Sequence, residues 1–337
     1  MFKFYKMLFL NFLMLGTFIS ISAYSWFNMW VGLEINLLSI IPLMKSHKNV
    51  YPAEAALKYF ITQALASAII LFAITMSLNF YEFIPNFSNY WFMMILNSAL
   101  LTKLGAAPFH AWFPEVMEGL NWMNALILLT WQKLAPMVLI MYNLEMKMFL
   151  MMIILLSSII GGIMGLNQVS LRKIMAYSSI NHIAWMLASM LNFKAIWFNY
   201  FLIYTIISIN IVLIFYLFNI FYLTQLMSMM NTNKLIKLFF IFNFMSLGGL
   251  PPFLGFFPKW LVINYLIYSN YYMLSVILII FTLITLYFYL RITFSTLTIS
   301  MNETIIQLKK VNLFFLVLSN SSSLMGIIIC TMIFNLL

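Results

Sequence analysis

The chain is predicted to be an all-α polytopic membrane protein of about 11 transmembrane helices. They divide into two inverted five-helix repeats with a broken helix in each, plus one C-terminal helix. Three observations predict this. Of the 337 residues, 65% are hydrophobic and 7% are charged, against about 45–50% and 25% in soluble domains; mean hydropathy is +1.02. The apolar residues form runs of about 20 without period-two alternation, which selects helices over a barrel. Finally, the phrase PFHAWFP at 108–114 returns as PFLGFFP at 252–258.

The runs place spans at roughly 4–23, 26–44, 55–79, 90–113, 121–142, 149–167, 174–191, 196–221, 238–264, 271–295 and 313–335. The first, behind Lys3 and Lys6, has the outline of a signal peptide. With ten more spans behind it, it reads as a retained helix. An odd number of spans puts the termini on opposite sides. On the N-terminal side fall Lys3, Lys6, Lys45, Lys48, Arg172, Lys173, Lys234, Lys237, Arg291, Lys309 and Lys310; on the other fall Lys147 and Lys194. Basic loops mark the cytoplasm-equivalent compartment, so the N-terminus is expected there. The remaining basic residues, Lys58, Lys103, Lys133 and Lys259, fall inside spans.

The repeated phrase lies in spans four and nine, and each copy follows a cluster of small residues, LGAA at 104–107 and LGGLP at 247–251. An offset of five spans, being odd, inverts the second unit relative to the first. The expected organisation is residues 1–145 and 146–298 for the repeats and 299–337 for a loop and the last helix. Spans interrupted by Gly and Pro at matching positions of two inverted halves point to an ion path. The breaks are expected at Gly105 and Pro108, and at Gly248, Gly249, Pro251 and Pro252. Proline removes a backbone donor, and the freed groups must find partners in protein or water. Such a place is hydrated enough to hold a charge.

Charge is where the chain spends its polar residues within the spans. Lys103 lies roughly 20 Å into span four at ~1.5 Å per residue, too deep for easy snorkelling. Glu34, in WVGLEINLLSI, has no nearby partner in sequence, and an intramembrane carboxylate is a functional candidate by default. Lys133 sits in span five near Pro136, and Lys259 follows the second break. Lys58 opens span three with Glu54 at i, i−4, so an ordinary ion pair competes with a functional role. His182 and Ser178 share a helix face; a packed histidine is the plain alternative to a proton relay. His110 sits within the first break. His47, between Lys45 and Lys48, reads as a loop residue. Glu115 and Glu118 read as a solvated loop or a subunit contact, and Gly161 with Gly165 as helix packing.

Several function classes are excluded. The single cysteine, Cys330, cannot hold an iron–sulfur cluster or a structural zinc. No dinucleotide or Walker motif is present, so no nucleotide, flavin, haem or metal site is expected. The net charge of +10 belongs to short loops and reflects topology rather than nucleic-acid binding. All seven acidic residues are Glu, with 28 Met, 34 Phe and 18 Tyr; this resembles an A/T-rich organellar gene.

The runs WVGLEINLLSIIPL, AALKYFITQALAS, KLGAAPFHAWFPEVMEGLNWMNALILLTWQKLAP, SSINHIAWM and LGGLPPFLGFFPKW resemble the antiporter-like, proton-pumping membrane subunits of NADH–ubiquinone oxidoreductase (respiratory complex I), in an insect-like form. The resemblance covers nearly the whole chain, and the tail past about residue 300 matches little. It implies the animal version with three N-terminal helices lost. It also implies a proton path through Glu34, Lys103, Lys133 and Lys259, with His110 and His182 on the same polar axis. No cofactor is implied in this chain; NADH, FMN, iron–sulfur clusters and ubiquinone belong to the assembled complex. The implied partners are the antiporter-like chain 4, the small chain 4L, the lateral helix of chain 5 and lipids such as cardiolipin. The implied location is the inner mitochondrial membrane. A stand-alone cation/proton antiporter and a non-pumping structural subunit are the rival readings.

Overall fold

The computed structural model describes residues 4–45, 50–80, 88–191, 194–230, 234–298, 317, 320 and 321. The expected eleventh span with Cys330 falls almost wholly outside the described residues, as do Lys3, His47, Lys48, Lys309 and Lys310. The chain divides into two compact units, 1–156 and 157–337. Among the described residues the regular structure is helical, with one isolated antiparallel bridge between Ser170 and Tyr222.

The first unit is built from α1 (Phe4–Ser22), α2 (Trp26–Met44), α3 (Tyr51–Phe80), α4 (Ser88–Leu104), α5 (Trp112–Gly119), α6 (Trp122–Leu129), α7 (Trp131–Tyr142) and the start of α8 (Lys147–Gly165). Its tightest seam is α1 on α2. A Cβ added to Gly16 would lie 2.9 Å from the Asn36 backbone nitrogen, and one on Gly32 would lie 2.6 Å from that of Ser20. Gly16 and Ser20 on α1 and Gly32 on α2 let the backbones touch, which is how helices associate where lipid is as apolar as the side chains. A second close contact sets α5 on α3, where a Cβ on Gly119 would lie 2.6 Å from that of Ala55.

The second unit takes the rest of α8, then α9 (Leu171–Met190), α10 (Lys194–Phe218), α11 (Leu223–Met230), α12 (Lys234–Gly248), α13 (Phe256–Tyr268) and α14 (Tyr272–Thr298). Here α9 is the core element, buried from Ile174 to Met190 without interruption. The backbone of α8 touches it at Gly161, where a Cβ would meet the Asn181 nitrogen at 2.8 Å. The residues between α10 and α12, expected to be loop, contain α11. Gln225 caps its start, its side-chain oxygen accepting from the Phe221 nitrogen at 2.9 Å.

Among the described residues seven segments are long and apolar enough to cross a membrane: 4–22, 26–44, 51–78, 122–142, 147–165, 194–218 and 272–297. The chain is therefore a polytopic membrane protein. The expected spans four and nine are each cut in two, leaving no single helix of sufficient length. The expected span seven is α9, whose Ser178, Ser179, Asn181, His182 and Ser189 lower its hydropathy. Surrounded by protein, it needs no apolar exterior. Hydroxyls in these helices bond back to their own carbonyls, as Thr102 does to Ala99 at 2.7 Å and Ser178 to Met175 at 2.8 Å.

Gly32→Ala should force α1 and α2 apart and lower the melting temperature of the purified protein, at a cost of about 1–3 kcal/mol. Gly162→Ala, whose new carbon would meet nothing nearer than 3.4 Å, should melt like the parent.

Candidate functional site: buried lysines at two helix breaks

Both breaks are built the same way. Helix α4 ends at Leu104, and the chain is non-helical until Trp112; α12 ends at Gly248, and helix resumes at Phe256. Gly105 has φ 74° and Gly249 has φ 78°. Gly105 N–H bonds the Thr102 carbonyl at 3.2 Å and Ala106 N–H that of Leu101 at 3.1 Å. Gly249 N–H bonds the Ser246 carbonyl at 3.0 Å and Leu250 N–H that of Met245 at 3.3 Å. This pair of bonds, with a left-handed residue between helix and loop, is the Schellman ending, and glycine is the residue that adopts it without strain. Glycine, rather than proline, therefore ends each helix. Pro108 and Pro252 lie just beyond, each preceded by a cis peptide bond. Pro114 and Pro258 stand in the first turns of α5 and α13, where a missing N–H costs nothing.

In the second unit, the motif leaves the Leu247 and Gly248 carbonyls without a backbone donor. Lys259, on the first turn of α13, supplies one: its Nζ donates to the Gly248 oxygen at 2.8 Å and the Leu247 oxygen at 3.4 Å. A cation at a helix C-terminus also meets the negative end of the dipole. The ammonium lies 6.0 Å from the Trp185 ring centroid. It is 6% exposed. Gly249 makes the approach possible, since a Cβ there would lie 2.8 Å from Lys259 Nζ.

In the first unit a side chain adds a second donor to a carbonyl that the Schellman ending already uses. Trp112 Nε1 donates to the Thr102 oxygen at 3.0 Å. Lys103 is buried on the last turn of α4 and borders a cavity of about 10 Å³ with Asn36, Tyr59, Gln63, Gln132 and Pro136. Glu34, half-buried on α2, lies within electrostatic reach of Lys103. The close ion pairs among the described residues lie elsewhere, on Lys58. Lys133 is 2% exposed, and its Nζ stands 5.9 Å from the Phe113 centroid. Phe113 also packs on Gly105, so one ring joins the break to the second lysine.

The expected span five is itself interrupted, which its sequence did not announce. Helix α6 stops at Leu129 and α7 starts at Trp131. Thr130 turns both its N–H (3.0 Å) and its hydroxyl (2.7 Å) onto the Leu126 carbonyl. Pro136 in α7 has no N–H to offer Gln132. Lys133 thus sits in the turn between an interruption and a proline.

The accessory residues separate. His182 is buried, its Nδ1 2.9 Å from the Tyr200 hydroxyl, and borders a second cavity of about 10 Å³ with Tyr204, Ser246 and Pro258. Ser178, one turn earlier, bonds its own helix. His110 is half-buried and faces the Pro108 carbonyl at 3.2 Å, and it is not among the residues lining the Lys103 cavity. Lys58 is exposed and pairs with Glu54 at 3.2 Å and Glu115 at 3.0 Å, tying α3 to α5. Glu115 and Glu118, expected in a loop, lie on α5. Sequence reasoning missed Tyr59, Gln63 and Gln132. The available signal was Tyr59 and Gln63 four apart in an otherwise apolar run.

The profile of the family described as NADH:quinone oxidoreductase/Mrp antiporter, TM, matches residues 23–285. The chain is 52% identical to the NADH-ubiquinone oxidoreductase chain 2 of Anopheles gambiae over 86% of its own length and 84% of that protein. It is 49% identical to the chain of that name in Aedes aegypti over 96% of each. The fold is similar to a chain of respiratory complex I from Thermus thermophilus, with a TM-score of 0.87 and 22% identity, covering 97% of this chain and 78% of that one. It is also similar to a chain of the Mrp complex from Dietzia, with a TM-score of 0.76 and 17% identity, covering 84% and 59%.

Gly249→Ala should cost about 1–2 kcal/mol for the left-handed residue alone and push Lys259 off the Gly248 carbonyl. Gly248→Ala, whose new carbon would make ordinary contacts at 3.5 Å, should be mild. Melting temperatures of the two variants check the contrast, and equal values would refute this account of the break.

Proposed function

The chain belongs to the NADH:quinone oxidoreductase/Mrp antiporter membrane family, and from that premise we propose that it is a proton-translocating membrane-arm subunit of respiratory complex I. It works within an NADH:ubiquinone reductase of the inner mitochondrial membrane, alongside other membrane-arm subunits. NADH, FMN, iron–sulfur clusters and ubiquinone act in the rest of the assembly, and this chain does no redox chemistry. The observation that carries the reading is the pair of matched helix breaks, each with a buried lysine.

The finer layout is eleven spans, with 1–145 and 146–298 as inverted repeats. The shared Schellman endings support it, and so does a second correspondence. EIN at 34–36 and SIN at 179–181 each present an asparagine nitrogen to a glycine of the preceding helix, Gly16 or Gly161. Asn36 then accepts from Gln132 at 2.8 Å, and Asn181 donates to Thr285 at 3.3 Å. The bias of basic residues supports an N-terminus in the matrix and a C-terminus in the intermembrane space. The neighbours are chain 4, chain 4L, the lateral helix of chain 5 and cardiolipin.

In this reading Glu34 and Lys103 are the switch, Lys133 is the next carrier and Lys259 the release group, with His182 and Ser178 on the polar axis of the second unit. Moving one proton against ~170 mV costs about 4 kcal/mol. A Glu–Lys pair at about 6 Å and an effective dielectric of about 20 contributes about 2.8 kcal/mol. One pair made and broken falls short of the load, so several groups in series are required.

Lys103→Met should assemble, since it removes a buried charge at nearly constant length, and should lower the protons pumped per NADH in vesicles of the assembled complex. Glu34→Gln should slow pumping-coupled turnover by about tenfold, the effect of losing half of that pair energy. A wild-type proton ratio in assembled Lys103→Met would overturn the channel and favour a structural subunit.

A further inference from the structure

We infer that Gln132 is a positioning residue: its amide fixes the turn that carries Lys133 against the helices that carry Glu34 and Lys103. The inference rests on the reading of those three as proton carriers. The turn has little backbone support of its own. Lys133 N–H bonds the Thr130 carbonyl, three residues back, at 3.3 Å. Pro136 withholds the donor that the Gln132 carbonyl would take in a regular helix. Between Thr130 and Pro136 the place of the chain, and so of Lys133, depends on side-chain contacts with other helices.

Gln132 meets two such helices with one amide. Its Nε2 donates to Asn36 Oδ1 on α2 at 2.8 Å, and its Oε1 accepts from the Tyr59 hydroxyl on α3 at 3.4 Å. Both partners are buried. Asn36 is a firm anchor, because its backbone nitrogen lies in the α1–α2 seam, 2.9 Å from where a Cβ on Gly16 would stand. From Tyr59 the contacts continue. Its ring meets that of Trp112 edge-on, with 5.6 Å between centroids, and Trp112 Nε1 donates to the Thr102 oxygen on α4 at 3.0 Å. Asn36 stands two residues after Glu34, Gln132 is next to Lys133, and Thr102 is next to Lys103. One chain of contacts therefore runs past all three carriers and ties their helices together without using their charges. Every group in it is neutral, so its bonds hold whichever carrier has the proton. Transfer between groups is steep in distance, and a misplacement of about 1 Å can cost about a hundredfold. A frame that does not change with the charge state meets that demand.

The test reads structure and turnover on the same preparations of assembled complex. Gln132→Met keeps the length of the side chain and loses the amide. In an experimental map of this variant the 130–133 turn should shift away from α2, and the Lys133 ammonium should leave its place beside Phe113. A turn that stays where it was overturns the inference. Pumping-coupled NADH oxidation should fall about tenfold, within the range for a group displaced by less than about 1 Å. Asn36→Leu should fall about as far, and the double variant should be no slower than either single one, since all three lose the same bond. Effects that multiply would overturn it. Exchanging the pair, Asn36→Gln with Gln132→Asn, keeps one short and one long amide across the gap and should restore most of the rate. A merely space-filling role gives no such rescue, so failure of the exchange also overturns the inference, even where Gln132→Met does not assemble. If the turn shifts and the rate is unchanged, Gln132 still positions the turn and the carrier role of Lys133 falls.

Discussion

Inside a bilayer no backbone carbonyl can be left to water, so a helix broken at membrane depth must bring its own donors. That constraint organises this protein. The Schellman bonds at Gly105 and Gly249 satisfy the carbonyls one turn back. The last two carbonyls of α12 then take Lys259. The lysine is tolerated because the break supplies acceptors and a helix dipole, and the break is tolerated because the lysine supplies donors. A lysine that gives up its proton still carries two N–H groups. The contact with Gly248 thus survives a change of charge, which fits the release role proposed for Lys259.

The two breaks share a backbone and differ in their chemistry. Aligned on their prolines, Lys103 corresponds to Leu247, and Lys259 to Glu115. The first unit carries its cation on the helix before the break and the second on the helix after it. In the first unit the position after the break holds a carboxylate that points to the exterior and pairs with Lys58. That ion pair, with the Gly119–Ala55 contact, clamps α5 onto α3 and so aims Phe113 at Gly105 and Lys133. Exposed as it is, the pair contributes little to stability, and the Gly119–Ala55 packing is the firmer of the two contacts.

Much was legible in the residues alone. Composition and run length determine a helical membrane protein, because lipid permits few alternatives. The repeated Pro-Phe phrase, the glycines before it and the intramembrane Glu34, Lys103, Lys133 and Lys259 stand out against apolar surroundings. The cost of burying each marks it as a candidate. What sequence could not supply was partnership. That α9 is a core helix, that α6 and α7 part at Thr130, and that Lys58 faces outward all depend on which helix lies alongside. The same holds for the polar ring around Lys103. Asn36, Tyr59, Gln63 and Gln132 lie on three helices, up to 96 residues apart in the case of Asn36 and Gln132. A polar side chain in a span declares only that it needs a partner; which partner it finds is decided when the helices pack.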